Sequence, residues 1–126
     1  DLLHIGHITS LNEARGLGDV LIVGLNTDSS VCRLKGENRP IIPEEERSHV
    51  LAALECVDYV ALFDEDTPVE LIKAVHPDVL VKGSDYTVEQ VVGHDFVQSY
   101  GGIVHIMPIV NNMSTSTIIN RIKENF

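Results

Sequence analysis

The sequence predicts an α/β fold, a parallel sheet with helices on both faces, and three observations carry that expectation. Short apolar runs alternate with helix-patterned stretches along the whole chain. One run, Asp19-Val-Leu-Ile-Val-Gly-Leu-Asn26, is continuously apolar between polar ends, as a strand buried on both faces would be. The size fits one domain, residues 1–126, since 126 residues with 44% apolar and 22% charged side chains suffice for a single core.

The elements follow in order. Leu3, His7, Leu11 and Ala14 recur at spacings of four and three, one face of a helix that ends near Gly16 and Gly18. The apolar run 19–26 is the first strand, and a polar, turn-rich stretch from Thr27 to Pro43 follows it. Pro43-Glu-Glu-Glu46 opens a helix, with acids at the positive end of its dipole, and Val50, Leu51 and Leu54 continue one face. Val57–Phe63 is the next strand. Thr67-Pro68 then starts a helix with Leu71, Ile72 and Val75, which His76-Pro77 stops. Asp78–Lys82 is a strand, Val88–Tyr100 is helical, and Ile103–Met107 is the last strand, beyond Gly101-Gly102. Ser114 is the N-cap of a final helix bearing Ile118, Ile119 and Ile122. The whole is a doubly wound, Rossmann-like arrangement, in which ligands sit at the carboxyl ends of the strands. The chain opens at Asp1 without Met, so a first strand upstream of it is expected to be missing.

Charge narrows the function. Nine Lys and Arg against nineteen Asp and Glu give a net charge of −10, and such a surface repels nucleic-acid backbones and anionic lipid headgroups. No Trp and six other aromatic residues make a poor base-stacking platform. The longest apolar run, Val20–Leu25, is far short of the ~20 residues that span a bilayer. No signal-peptide pattern opens the chain. Two cysteines, Cys32 and Cys56, fit a reduced, cytoplasmic setting better than a disulfide framework. An anionic ligand must therefore be held by a local site.

Three groups of residues could hold one. In His4-Ile-Gly-His7, positions three apart share a helix face, at a first turn where free N–H groups favour an anion. Gly6 lets a ligand approach the backbone, and two imidazoles can stabilise charge gained in a transition state. A half-buried core histidine or a zinc site are the other readings, though no further zinc ligands stand at a suitable spacing. Ser114-Thr-Ser-Thr117 forms a second anion-binding helix start, or caps its helix through Ser114 alone. The cations Lys35, Arg39 and Arg47 follow the first strand, and Lys82-Gly83-Ser-Asp85 closes a later one. Gathered on one sheet edge of so acidic a chain, they point to an anionic ligand, although any one of them could be a solvated surface residue. No Walker loop or Gly-x-Gly-x-x-Gly is present.

His4-x-Gly6-His7 on the first helix with Ser114–Thr117 opening the last resembles the cytidylyltransferase type of nucleotidyltransferase, over essentially the whole chain. Lys35-Gly36 with Arg39-Pro40, Glu45-Glu46-Arg47, the stretches 50–60 and 63–68, and Asp78–Tyr86 carry the likeness to members that transfer AMP from ATP to D-glycero-β-D-manno-heptose 1-phosphate, giving ADP-heptose and pyrophosphate for lipopolysaccharide core or related surface glycans. The resemblance implies a nucleotidyltransferase fold and a cytoplasmic enzyme. It implies that His4 and His7 bind the triphosphate and steady its α-phosphate, with Asp1 and Gly6 beside the nucleotide. Lys35 would neutralise phosphates, with Arg39 and Arg47 as weaker candidates at the substrate. Ser114, Thr115 and Ser116 would hold the outer phosphates, bridged by Mg²⁺, and Lys82, Gly83 and Asp85 would lie beside the nucleotide or the heptose. It further implies a homo-oligomer, commonly a dimer, with fusion to or pairing with a sugar kinase. Two features depart from the pattern. Asn112 stands where relatives commonly have Gly, and Ile109-Val110 replaces the Arg-Thr of glycerol 3-phosphate cytidylyltransferases, which counts against that activity. The alternatives are such a cytidylyltransferase, acting on a polyol phosphate, and a nucleotide-binding module without turnover.

Overall fold

The computed structural model describes residues 1–83, 86–108 and 114–126. Helices and parallel strands alternate: α1 (Ile5–Arg15), β1 (Ile22–Asn26), α2 (Asp28–Lys35), α3 (Glu44–Ala52), β2 (Tyr59–Phe63), α4 (Val69–Val75), β3 (Val79–Lys82), a 3₁₀ turn (Val88–Gln90), α5 (His94–Ser99), β4 (Ile103–Ile106) and α6 (Thr115–Asn125). The strands form two parallel pairs. β1 runs beside β2 from Ile22↔Tyr59 to Asn26↔Phe63, and β3 runs beside β4 from Val79↔Ile103 to Lys82↔Ile106. Among the described residues each strand has one partner. All four nevertheless point the same way within their pairs, so the loops after Asn26, Phe63, Lys82 and Met107 form carboxyl edges, as the fold class requires.

Three sequence expectations change. The stretch after β1 is not a bare loop, because Thr27 accepts a hydrogen bond from the Ser30 amide and caps α2. The helical stretch 88–100 is broken in two by Gly93, whose φ of 89° lies in the left-handed region. Finally, β1 is not buried on both faces among the described residues: Ile22 is 39% exposed, and Val20, just before the strand, 58%.

The core among the described residues is correspondingly small. Val57, Phe63, Ile72, Val91, Val97 and Met107 are its buried apolar members. Helix α4 joins the halves. The Leu71 Cδ2 atom stands 3.0 Å from where a Cβ on Gly24 would be, and Ile72 Cδ1 stands 2.9 Å from where one on Gly93 would be. Gly24 thus lets α4 lie against β1, while Gly93 lets α5 begin against Ile72. At the strand starts, Asp58 accepts from the Leu21 amide and pairs with Arg15 at 3.1 Å, fixing the end of α1 to both strands of the first pair.

Gly93→Ala meets a positive φ and the Ile72 side chain together. It is expected to lower the unfolding free energy by more than ~1 kcal/mol in urea titrations. An unchanged midpoint would show that neither demand is real.

Candidate active site

The site is assembled at the start of α1. His4 is the N-cap, with extended backbone (φ −143°, ψ 176°), and His7 is the third helical residue. The two imidazoles therefore do not simply share a helix face. They close a reciprocal capping box, in which the Gly6 amide donates to His4 Nδ1 at 3.1 Å and the His4 amide donates to His7 Nδ1 at 3.3 Å. The rings lie 3.9 Å apart.

That geometry fixes the chemistry of both rings. A neutral imidazole whose Nδ1 accepts a hydrogen bond carries its proton on Nε2. Each ring thus has one Nε2–H donor left over, beside a helix N-terminus where the dipole favours negative charge. Both rings are held neutral. Burial first, then the His4 ring, push His7 down to about 4. Burial also lowers His4. The pair can bind an anion by donating hydrogen bonds without itself being charged.

The second helix start is brought to the first. Leu2 donates its amide to Thr115 Oγ1, and that hydroxyl reaches the Leu2 carbonyl, both at 3.4 Å. Ser114 caps α6 by accepting from the Thr117 amide at 3.1 Å, and its hydroxyl lies 2.9 Å from that of Thr117. Ser116 is exposed on the same first turn. Positions 113 apart in sequence thus join two anion-favouring helix ends.

The cations gather on the other flank. Lys35, exposed in the last turn of α2, lies with Arg39 and Arg47 around Asp1. Their roles differ. Arg47 is 6% exposed. Its Nε donates to Ile42 O at 2.8 Å, its Nη1 to Asn26 O at 3.0 Å and its Nη2 to Asp28 Oδ1 at 2.8 Å. A guanidinium so engaged spends its donors on protein acceptors, whereas the sequence sets it among the substrate-binding candidates. Asp1, expected beside the nucleotide, has a side chain 3% exposed that faces the loop at residues 39–42 instead. Arg39 pairs with it at 2.9 Å through Nε.

At the second strand pair, Lys82 and Gly83 are exposed at the carboxyl end of β3, with Lys82 Nζ 5.0 Å from the Tyr86 ring centre. Nothing within 4 Å would meet a Cβ on Gly83. Asp85 and Asn112 lie outside the described residues. Sequence reasoning missed the lattice that supports the carboxyl edge of β1 and β2. There Asp64 accepts from Thr27 (2.5 Å) and Ser29 (3.0 Å), which with Arg33 hold its carboxyl below the usual range. The fully buried Ser30 donates to Glu65 O at 3.2 Å. The hydroxyl-rich run Thr27-Asp-Ser-Ser30 was the available signal.

A parallel α/β fold with paired neutral imidazoles at one helix start and hydroxyls at another fits the nucleotidyltransferase class. Residues 1–121 match the cytidylyltransferase-like family model, and the chain belongs to that family. It is 58% identical over all 126 residues to the bifunctional protein HldE of Syntrophotalea carbinolica, and 59% identical to that of Trichlorobacter lovleyi. In each case it spans 26% of the relative's length, about a quarter of these curated proteins. A crystal structure of the lipopolysaccharide core biosynthesis protein of Thermoplasma volcanium is similar, with a TM-score of 0.70 and 31% identity over 90% of this chain and 91% of that one.

Two measurements check this geometry. Long-range proton–nitrogen correlation spectra should show the His7 proton on Nε2 and a titration midpoint of about 4. Because the folded value is depressed, the stability contributed by neutral His7 is present above about 6.5 and lost as the pH falls toward the folded value. A proton on Nδ1 would break the capping assignment. Arg47→Met leaves two carbonyls and Asp28 without their donor and should cost at least about 2 kcal/mol in urea unfolding. Unchanged stability with weakened substrate binding would return Arg47 to the ligand.

Proposed function

We propose that this domain transfers AMP from ATP to D-glycero-β-D-manno-heptose 1-phosphate, giving ADP-heptose and pyrophosphate. The observation that carries the reading is the junction of two anion-favouring helix starts through Leu2 and Thr115, with two Nε2–H donors beside it. The extended likeness to the HldE proteins and to a protein titled for lipopolysaccharide core biosynthesis favours a sugar phosphate as the acceptor.

In this reading the triphosphate lies across both helix starts. His4 and His7 donate to the α-phosphate, against the Gly6 backbone, and Ser114, Thr115 and Ser116 hold the outer phosphates. Mg²⁺ enters as part of the MgATP substrate. Its ligands would come mainly from the phosphates. An acceptor phosphate oxygen attacks the α-phosphorus in line, the bond to the bridging oxygen breaks, and its electron pair leaves with pyrophosphate. The attacking oxygen is already ionised, so no general base is required. Positioning and charge neutralisation do the work. Neutral imidazoles suit this, because an N–H donor can strengthen its hydrogen bond as charge builds on the oxygen without releasing a proton. Lys35 and Arg39 supply positive charge on the acceptor side, and Lys82, Gly83 and Asp85 lie beside the nucleotide or the sugar. The domain works in the cytoplasm, as a homo-oligomer such as a dimer, fused to or paired with the sugar kinase that makes its acceptor. No described helix is long and apolar enough to cross a membrane.

The test is pyrophosphate release by the full-length polypeptide with Mg²⁺, offering ATP or CTP with heptose 1-phosphate or glycerol 3-phosphate. Turnover with ATP and the heptose is expected, and His7→Ala should reduce it on the order of 10²–10³-fold, the scale of one lost transition-state donor. Turnover only with CTP and glycerol 3-phosphate would replace the substrates. A folded, ATP-binding protein silent in every combination would leave a binding module instead of an enzyme.

A further inference from the structure

We propose that Asp1 is a positioning residue for the acceptor: its buried carboxylate fixes Arg39 and the loop at residues 39–42, so that Arg39 presents its two terminal nitrogens to the acceptor's phosphate. The inference rests on the reading above and deepens it.

A carboxylate has about four lone-pair sites, and three of Asp1's are filled from one loop. Oδ2 accepts from Arg39 Nε at 2.9 Å and from the Ile41 amide at 2.8 Å, and Oδ1 accepts from the Ile42 amide at 3.0 Å. With 3% of the side chain exposed, little remains for a ligand to touch. A carboxylate at the mouth of a phosphate site would repel its substrate. This one is instead neutralised and turned away.

What it holds is aimed. The Nε bond fixes the plane of the Arg39 guanidinium and leaves Nη1 and Nη2 without a partner among the described residues, on a side chain 22% exposed. Those two nitrogens form the edge that grips a phosphate through parallel bonds. The loop cannot swing, since Arg47 donates to the Ile42 carbonyl from its other side at 2.8 Å. The place of Arg39 also tells the two substrates apart. Asp1 engages the loop at residues 39–42, while Leu2, the next residue, engages Thr115 at the helix start assigned to the triphosphate. The segment leading to His4 is thus flanked by two separate anion sites. Asp1 precedes His4 by three residues, at most roughly 11 Å of chain, so a phosphate on Arg39 can lie next to one held by the imidazoles. The second site faces the attacking phosphate.

The experiment uses the full-length polypeptide with Asp1→Asn, Arg39→Gln and the double variant. Steady-state pyrophosphate release is combined with ATP affinity by calorimetry and with hydrogen exchange of the Ile41 and Ile42 amides. Asn keeps the shape but loses the charge and one acceptor oxygen. The expected result for Asp1→Asn is an acceptor KM raised roughly 10- to 100-fold, ATP affinity within about twofold, and exchange at Ile41 and Ile42 roughly tenfold faster. Arg39→Gln should match the KM effect, and the double variant should be no worse than either single one, because Asp1 acts through Arg39. Equal losses for ATP and acceptor would make Asp1 a nucleotide contact and overturn the proposal, as would strictly additive effects of the two changes. Should the wild-type polypeptide release no pyrophosphate with any pair of substrates, the functional reading fails by itself. Exchange then still judges the anchor, and unchanged protection of Ile41 and Ile42 in Asp1→Asn would overturn it.

Discussion

The Arg47 guanidinium, buried inside an acidic chain, is the interaction on which the cationic side of the site depends. It draws together the end of β1 through Asn26, the start of α2 through Asp28 and the loop before α3 through Ile42. Glu44, at the first position of α3, reinforces the same corner by accepting from the Asp28 amide at 3.0 Å. A buried charge is tolerated only when its donors are met, and here each is met by a group that must itself be fixed. The reach of the planar fork explains why Arg and not Lys stands there: a single ammonium cannot span three acceptors on three segments. With that corner closed, the loop at residues 39–42 has a defined path, and Asp1 can engage it.

The opposite flank works by a different principle. Two imidazoles 3.9 Å apart would repel each other if both were protonated. The capping box removes that conflict by using Nδ1 of each ring as an acceptor, so the neutral form is also the one that completes the helix start. Protonation would set a ring N–H against a backbone N–H, adding a steric and electrostatic penalty to that of burial. The site therefore divides its tasks. Net positive charge comes from Lys35 and Arg39, while direction comes from uncharged donors at two helix ends. In a chain of net charge −10 this division is economical, because a few cations placed around Asp1 suffice where a generally basic surface is absent.

Much of this was legible in the sequence, for identifiable reasons. The strands and most helices declare themselves through apolar runs and helical spacing, and the two helix starts that the proposed function assigns to the phosphates stand out as His4-x-Gly-His7 and Ser114–Thr117. Helix α2 was hidden because its eight residues, DSSVCRLK, carry little apolar stripe, and its one buried residue is Ser30. The position of His4 as the N-cap was hidden because spacing reports periodicity and not backbone conformation, and an N-cap lies outside the period it starts. Arg47 read as a possible ligand because burial is a tertiary property: the same three-letter pattern, Glu-Glu-Arg, describes a solvated helix turn as readily as a scaffold. The engagement of Asp1 with residues 39–42, and of Leu2 with Thr115, depends on contacts 38 to 113 positions apart, which no local pattern encodes.

The two flanks are held with unequal firmness, and this bears on how the site would work. The Asp1 and Arg47 contacts are 2.8 to 3.0 Å long, whereas both contacts between Leu2 and Thr115 are 3.4 Å, at the weak end of hydrogen-bond geometry. Helix α6 has no buried residue, so little packing compensates for that weak link. The side around Asp1 and Arg39, assigned to the acceptor in the proposal, is thus preorganised by protein contacts alone, while the start of α6 is the partner most easily displaced. A polyanion touching both helix starts adds its own bonds across the junction, and by linkage it stabilises the closed arrangement by whatever it gains there. The nucleotide would therefore complete the half of the site that the fold leaves loosest, next to a second half already rigid enough to orient an incoming phosphate.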